Sequence, residues 1–182
     1  MTRDELRDRL IDRAYLEGDF LLRSGRRSRY YLDKYLFETD PVLLAGLGEE
    51  LAGLVRMHAP DVELLAGPEL GAVPLAAMTA VETGLPYLLV RKAAKEYGTA
   101  KRVEGLYEPG QAVCVIEDIV TSGGALLSAV EGLREAGLDV SAAICVVDRE
   151  EGGGEAIASA GITFASLFTS TSLGVGTPAP NA

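Results

Sequence analysis

The stretch Val113-Cys114-Val115-Ile116-Glu117-Asp118-Ile119-Val120-Thr121-Ser122-Gly123-Gly124-Ala125 concentrates more chemistry than any other part of the chain. An apolar run ends in two adjacent carboxylates, a loop of hydroxyl and small residues follows, and a helical pattern begins. Ligands of open parallel sheets bind beyond the carboxyl ends of the strands. Glycine at such a bend lets backbone approach a phosphate. Free N–H groups at the helix start, with the Thr121 and Ser122 hydroxyls, can ring a phosphate monoester. Glu117 and Asp118 can meet the hydroxyls of a ribose that also carries Mg²⁺. An ordinary strand-loop-helix turn needs a capping hydroxyl but no acid pair, so the two carboxylates favour a ligand site. No Gly-Lys-Ser/Thr follows, so this is not a Walker loop.

A second concentration lies in residues 92–110, which carry little apolar periodicity. Between Arg91 and Arg102 stand five basic side chains and one acid. A loop of this length inside a compact domain is usually functional or disordered, and a basic loop on an acidic protein suits an anionic ligand. Taken alone, such a run is as readily a solvated face. Arg149, just after an expected strand end, could likewise pair only with Glu150 or Glu151. The lone His58 falls near a helix end and reads as structural.

These residues need elements to hold them. Residues 2–16 read as a charged amphipathic helix. Phe20-Leu21-Leu22 and Tyr30-Tyr31-Leu32 read as short strands around the turn at 24–28. Asp40 as N-cap and Pro41 at the first helical position open a helix to about Met57. Strands are expected at 62–66, 87–91, 112–116, 140–147 and 162–168, and helices at 71–82, 124–136 and 155–160. Near-continuous apolar strands alternating with helices indicate an α/β fold, a parallel sheet covered on both faces. The tail from Gly174, rich in Gly and Pro, is expected to be loose.

The length of 182 residues fits one domain, and 48% apolar residues suffice for a core. A net charge of −10 argues against a nucleic-acid partner and favours solubility. Cys114 and Cys145 sit in apolar runs and read as buried thiols rather than a disulfide or metal pair. With no charged-then-apolar leader and no apolar run of ~18 residues, neither a signal peptide nor a membrane span is expected, and the cytoplasm is the expected compartment.

The segment Ile116 to Gly124 resembles the phosphoribosyl pyrophosphate signature of the type I phosphoribosyltransferases. That resemblance implies a Rossmann-like parallel-sheet core with a small N-terminal hood, here residues 1–38, in a single domain spanning 1–182. Three further segments are similar to the orotate phosphoribosyltransferase family in particular: Phe20 to Asp33, a Ser-Gly…Ser…Tyr hairpin; Arg91 to Thr99 ending in Val103-Glu104-Gly105, a catalytic loop; and Val147-Asp148-Arg149-Glu150. Together the similarity spans about Phe20 to Leu173.

The resemblance implies a Mg²⁺-dependent glycosyltransferase of pyrimidine biosynthesis that joins orotate to phosphoribosyl pyrophosphate. It places the 5-phosphate on Thr121, Ser122, Gly123, Gly124 and Ala125, with Ile119 and Val120 lining the same ligand, and the ribose diol on Glu117 and Asp118. Arg91, Lys92, Lys95 and Tyr97 fall on the pyrophosphate, with Lys95 the main catalytic lysine beside Lys92 and Asp118. Thr121, Arg149 and the Tyr31-Leu32 backbone fall on orotate, and Gly67-Pro68-Glu69-Leu70-Gly71 on pyrophosphate through its backbone. Mg²⁺ would arrive with the substrate, with no direct protein ligand assigned and Glu117 and Asp118 as the candidate contacts. The loop 92–105 would reach the neighbouring site of a homodimer. Some positions depart: Tyr97 stands where many bacterial members have histidine, Gly71 where some have lysine, and Arg23 where several have lysine. A purine phosphoribosyltransferase and a non-catalytic regulator that binds phosphoribosyl pyrophosphate and DNA are the competing readings. The Arg149 segment and the hairpin weigh against the first. Lys92, Lys95 and the acidic balance weigh against the second.

Overall fold

The computed structural model describes residues 1–21, 25, 27–92 and 101–175. Helix α1 (Arg3–Ala14) opens with a capping box: Thr2 accepts from the Glu5 backbone N–H, and the Glu5 side chain accepts from that of Thr2. The helix stops two residues before the expected end. Tyr15 turns extended and begins β1 (Tyr15–Leu21), which pairs antiparallel with β2 (Arg27–Leu32) in the register Tyr15↔Leu32. The hairpin is therefore longer than its apolar core suggested, because backbone pairing extends through polar residues.

A five-residue helix α2 (Lys34–Glu38) follows, capped by Asp33; it was too short to show a period in the sequence. Its Phe37 is fully buried, a burial worth about 1.5–3 kcal/mol. Helix α3 (Pro41–His58) begins as expected, with Asp40 accepting from the Val42 and Leu43 amides and Pro41 at the first position.

The chain then alternates through β3 (Leu64–Pro68), α4 (Ala72–Thr83), β4 (Tyr87–Val90), β5 (Val103–Glu104), β6 (Ala112–Val120), α5 (Gly124–Glu135), β7 (Asp139–Asp148), α6 (Gly153–Ser159), β8 (Thr163–Thr169) and α7 (Ser170–Leu173). The central sheet runs β5-β4-β3-β6-β7-β8. All its pairs are parallel except β4 with β5, where Val90 opposes Val103. The expected α/β fold with a parallel sheet is borne out, with one correction. Part of the stretch read as loop, Val103–Glu104, is an antiparallel edge strand, and its Val103 is buried.

Both faces of the sheet are covered. Cys114 and Ile116 of β6 point into one core with Leu47, Leu51 and Leu75 from α3 and α4. Val113 and Val115 point into the other with Leu126, Val130 and Leu133 from α5. This is the two-residue alternation of a strand sandwiched between helices. Cys114 and Cys145 are free, buried thiols in opposite cores, as their apolar settings implied. No helix among the described residues is long and apolar enough to cross a membrane.

Candidate active site

Strand β6 extends past the expected end. Its pairing with β3 ceases at Val115, whereas its pairing with β7 continues to Val120. Glu117 and Asp118 thus lie within a strand supported on one side only, and the space beyond the end of β3 becomes a cleft of about 750 Å³. All nine residues from Glu117 to Ala125 line it, with Arg91 and Lys92 across from them. A cleft of this size suits a small molecule.

The loop at its floor has the features of an anion site. Gly123 adopts a left-handed conformation (φ 79°) at the N-cap of α5, with no side chain capping that helix. A Cβ there would press on the backbone of Gly153 at 3.2 Å, so glycine serves both the turn and the packing. Thr121, Ser122, Gly124 and Ala125 are exposed to the cleft, and the helix N-terminus adds a partial positive charge.

The acids are buried. Glu117 is 7% exposed, Asp118 3% and Glu38, from α2, 2%. Asp118 Oδ1 accepts from the Ile119 N–H at 2.6 Å, and its Oδ2 accepts from Lys34 Nζ at 2.7 Å. Glu117 accepts from the Asp118 N–H. Burial first, then the nearby Asp118 charge, pushes the Glu38 and Glu117 carboxyls each up to about 8. Glu38 Oε1 faces no donor, which suits a protonated acid beside another carboxyl. Burial pulls the Lys34 ammonium down, but pairing with Asp118 outweighs it and leaves it raised. Gly71 stands under this cluster: a Cβ there would run into Asp118 Oδ2 and Glu38 Oε1. Any side chain at position 71 would therefore require those carboxylates to shift.

On the basic side, Arg91 has a buried Nε with no partner. The Lys92 N–H donates to Glu69 Oε1 at 2.7 Å, which ties the 67–71 loop to the start of the basic segment. Arg102 closes the other end: the Arg91 N–H donates to its carbonyl at 2.8 Å, its Nε donates to the Arg91 carbonyl, and its Nη2 donates to Ser128 of α5. Lys95 and Tyr97, the remaining expected residues of this segment, lie outside the described residues, as does Arg23.

Arg149 stands at the same sheet end, its N–H donating to the Val120 carbonyl at 2.8 Å. Its side chain is 10% exposed and pairs with Glu151 at 3.1 Å. Its Nη2 donates to Tyr30 Oη at 2.9 Å, its guanidinium lies 4.9 Å over the Tyr30 ring, and its Nε is buried without a partner. Tyr30 in turn stacks on Tyr15 at 5.8 Å. Tyr31 instead packs its ring on Phe20, and Leu32 is buried in the core; neither side chain lines the cleft.

Sequence reasoning missed Tyr30, Lys34 and Glu38. The hairpin motif drew attention to Tyr31, yet pairing register sends Tyr30 to Arg149. Only the three-dimensional path of α2 brings Lys34 and Glu38 to β6. Among the described residues, no group of three or more His, Cys, Asp or Glu side chains could enclose a metal ion.

A strand-end acid pair followed by an uncapped phosphate loop, on a six-stranded α/β sheet, defines the class of phosphoribosyl transferase domains, and a profile of that domain matches residues 48–169. The orotate phosphoribosyltransferase of Methanocella arvoryzae is 49% identical over 156 residues, 86% of this chain and 87% of the relative. The Mycobacterium tuberculosis H37Rv orotate phosphoribosyltransferase in complex with Fe(III) dicitrate superposes with a TM-score of 0.85 at 31% identity, covering 95% of this chain and 99% of that one. A structure of the same enzyme in complex with 5-phospho-alpha-D-ribosyl 1-diphosphate gives 0.80 at 30% identity, covering 95% and 99%. The chain belongs to the phosphoribosyl transferase domain family and, within it, to the orotate phosphoribosyltransferases.

Proposed function

We propose that this chain transfers the phosphoribosyl group of phosphoribosyl pyrophosphate to orotate, giving orotidine 5'-monophosphate and pyrophosphate in pyrimidine biosynthesis. The observation that carries the reading is Arg149. A nearly buried guanidinium with an unpartnered Nε, held by Tyr30 beside the phosphate loop, is a ready partner for a planar carboxylate. A purine base has no such group. Formation of orotidine 5'-monophosphate, followed by chromatography with orotate, adenine, guanine and hypoxanthine in competition, tests it. Turnover of a purine in preference to orotate would overturn it.

The residues divide the work. The Thr121 to Ala125 loop holds the 5-phosphate, and Glu117 and Asp118 hold the ribose diol, with Ile119 and Val120 as the strand beneath. The orotate ring nitrogen attacks the anomeric carbon and gives up its proton to the departing pyrophosphate, whose bond to that carbon breaks through an oxocarbenium-like transition state. Arg91, Lys92 and Lys95, with Tyr97 alongside, meet the charge that grows on the leaving group. Arg149, Thr121 and the Tyr31-Leu32 backbone position orotate. Mg²⁺ suits this site when it arrives on substrate oxygens, because among the described residues only Glu117 and Asp118 lie together in the cleft, Glu69 being engaged by the Lys92 N–H, and Mg²⁺ keeps few protein ligands. When bound, it would neutralise pyrophosphate charge.

Residues 1–38 act as a hood over a single domain of 1–182. The chain works as a homodimer in the cytoplasm, with loop 92–105 reaching the neighbouring site and no nucleic-acid or membrane partner. Mixing an impaired Lys95→Ala chain with an impaired Asp118→Asn chain should raise activity above that of either alone, because each hybrid dimer keeps one intact site. No recovery despite proven hybrids would place each loop in its own site.

A further inference from the structure

The carboxylate that the proposed function gives to the ribose is covered. Asp118 borders the cleft yet is 3% exposed, with Lys34 Nζ on its Oδ2 at 2.7 Å and the Ile119 N–H on its Oδ1. Glu38, itself 2% exposed, and Gly71 crowd its other flank, where even a Cβ on Gly71 would run into Asp118 Oδ2. Lys34 lines the cleft, so its ammonium stands where a sugar hydroxyl entering from the cleft would approach Oδ2.

The two partners are unequal. The Asp118 side chain is 4% exposed and held by its strand, whereas that of Lys34 is 31% exposed on a flexible four-carbon stem. Asp33 caps α2 and fixes the Lys34 backbone, so only the side chain needs to move. Lys34 lines the same cleft as Arg91 and Lys92, and the Tyr35 ring, 5.5 Å from the ammonium and also in that cleft, offers a face along which it can shift.

We propose that Lys34 is an exchangeable latch: it holds Asp118 in the free chain, yields that carboxylate to the ribose hydroxyls, and carries its charge to the pyrophosphate of the same ligand. This rests on the reading of Asp118 as a ribose ligand. It makes Lys34 a substrate-binding residue whose two roles have opposite signs. The latch opposes binding of a ligand that has only the sugar, and the freed ammonium assists binding of a ligand that has the diphosphate. A merely structural ion pair, tying α2 to β6, would not separate the two.

Calorimetry with ribose 5-phosphate and with phosphoribosyl pyrophosphate, each in Mg²⁺ buffer, tests the latch on the wild-type, Lys34→Met, Lys34→Arg and Asp118→Asn chains. Lys34→Met should bind ribose 5-phosphate roughly fivefold more tightly, the scale of one partly exposed ion pair no longer to be broken. Its preference for phosphoribosyl pyrophosphate over ribose 5-phosphate should fall about tenfold, the scale of one charged hydrogen bond to the diphosphate lost. Lys34→Arg keeps a cation and should retain that preference. Weaker or unchanged ribose 5-phosphate binding by Lys34→Met, or an unchanged preference, overturns the latch. Asp118→Asn fails in a different place: if it leaves ribose 5-phosphate affinity intact, the assignment of Asp118 to the sugar is wrong. Should Lys34→Met lose its cooperative thermal unfolding, Lys34→Gln carries the same two titrations.

Discussion

The stretch Glu117 to Ala125 and the groups gathered around it are built in opposite ways. The first is uninterrupted: strand, loop and helix start supply carboxylates, hydroxyls and free amides within nine residues. The second come from distant places. In the cleft Lys34 meets Asp118 across 84 positions and the Lys92 amide meets Glu69 across 23; at the same sheet end, outside the cleft's lining, Tyr30 meets Arg149 across 119. A phosphate can be held largely by backbone, so its site can be local. A planar carboxylate and a leaving diphosphate need fixed cations, and a buried cation needs partners that only tertiary structure provides.

If that contrast is right, changes in the groups proposed to gather around the phosphate stretch should act on specific steps. The largest effect belongs to Lys95→Ala. Its ammonium would meet charge that develops only during bond cleavage, so turnover should fall roughly 10²–10³-fold while the Kd for phosphoribosyl pyrophosphate changes little. A pre-steady-state burst measurement with unchanged chemistry would remove Lys95 from the mechanism. Next comes Arg149→Ala, which would strip the proposed orotate site of its cation. A loss of about 2–3 kcal/mol, roughly 30- to 150-fold in kcat/KM for orotate, is expected.

Tyr30→Phe is subtler. It removes the 2.9 Å hydrogen bond to Arg149 but keeps the ring under the guanidinium. A net cost of about 0.5–1.5 kcal/mol should appear in kcat/KM for orotate, and the KM for phosphoribosyl pyrophosphate should not move. Equal changes in both would mean that Tyr30 merely supports the hairpin.

The last effect concerns stability rather than catalysis. The Glu38 carboxyl, raised from an ordinary 4.5 to about 8 by burial and by Asp118, holds its proton in the folded chain over a range where the unfolded chain has lost it. Its contribution is complete below about 4.5 and declines as pH rises through about 8. Glu38→Gln cannot ionise, so its Tm should gain on the wild type steadily between pH 5 and 8. Glu117, shifted the same way, leaves a residual slope in both. Parallel Tm curves would show that Glu38 does not titrate in this range.

The same contrast explains what the sequence could reveal. The α/β order, the Asp40-Pro41 helix start and the phosphate stretch were legible because each is encoded by neighbours along the chain. The continuation of β6 through Glu117 and Asp118 was not, because it depends on pairing with β7, and neither was β5, whose two residues carry no period. Tyr30 was overlooked in favour of Tyr31 because the hairpin register decides which ring faces Arg149. Lys34 and Glu38 lie on a helix of five residues whose role exists only where it meets β6 and Gly71.

The most direct test of a site with one part for the sugar phosphate and another for the base is a crossed measurement of both Michaelis constants. The loss of orotate absorbance, followed with phosphoribosyl pyrophosphate and Mg²⁺, gives them for wild type, Asp118→Asn and Arg149→Ala in one assay. Asp118→Asn should raise the KM for phosphoribosyl pyrophosphate and spare that for orotate, and Arg149→Ala should do the reverse. If Arg149→Ala leaves orotate kinetics near wild type, or both variants shift both constants alike, the division of the site is contradicted.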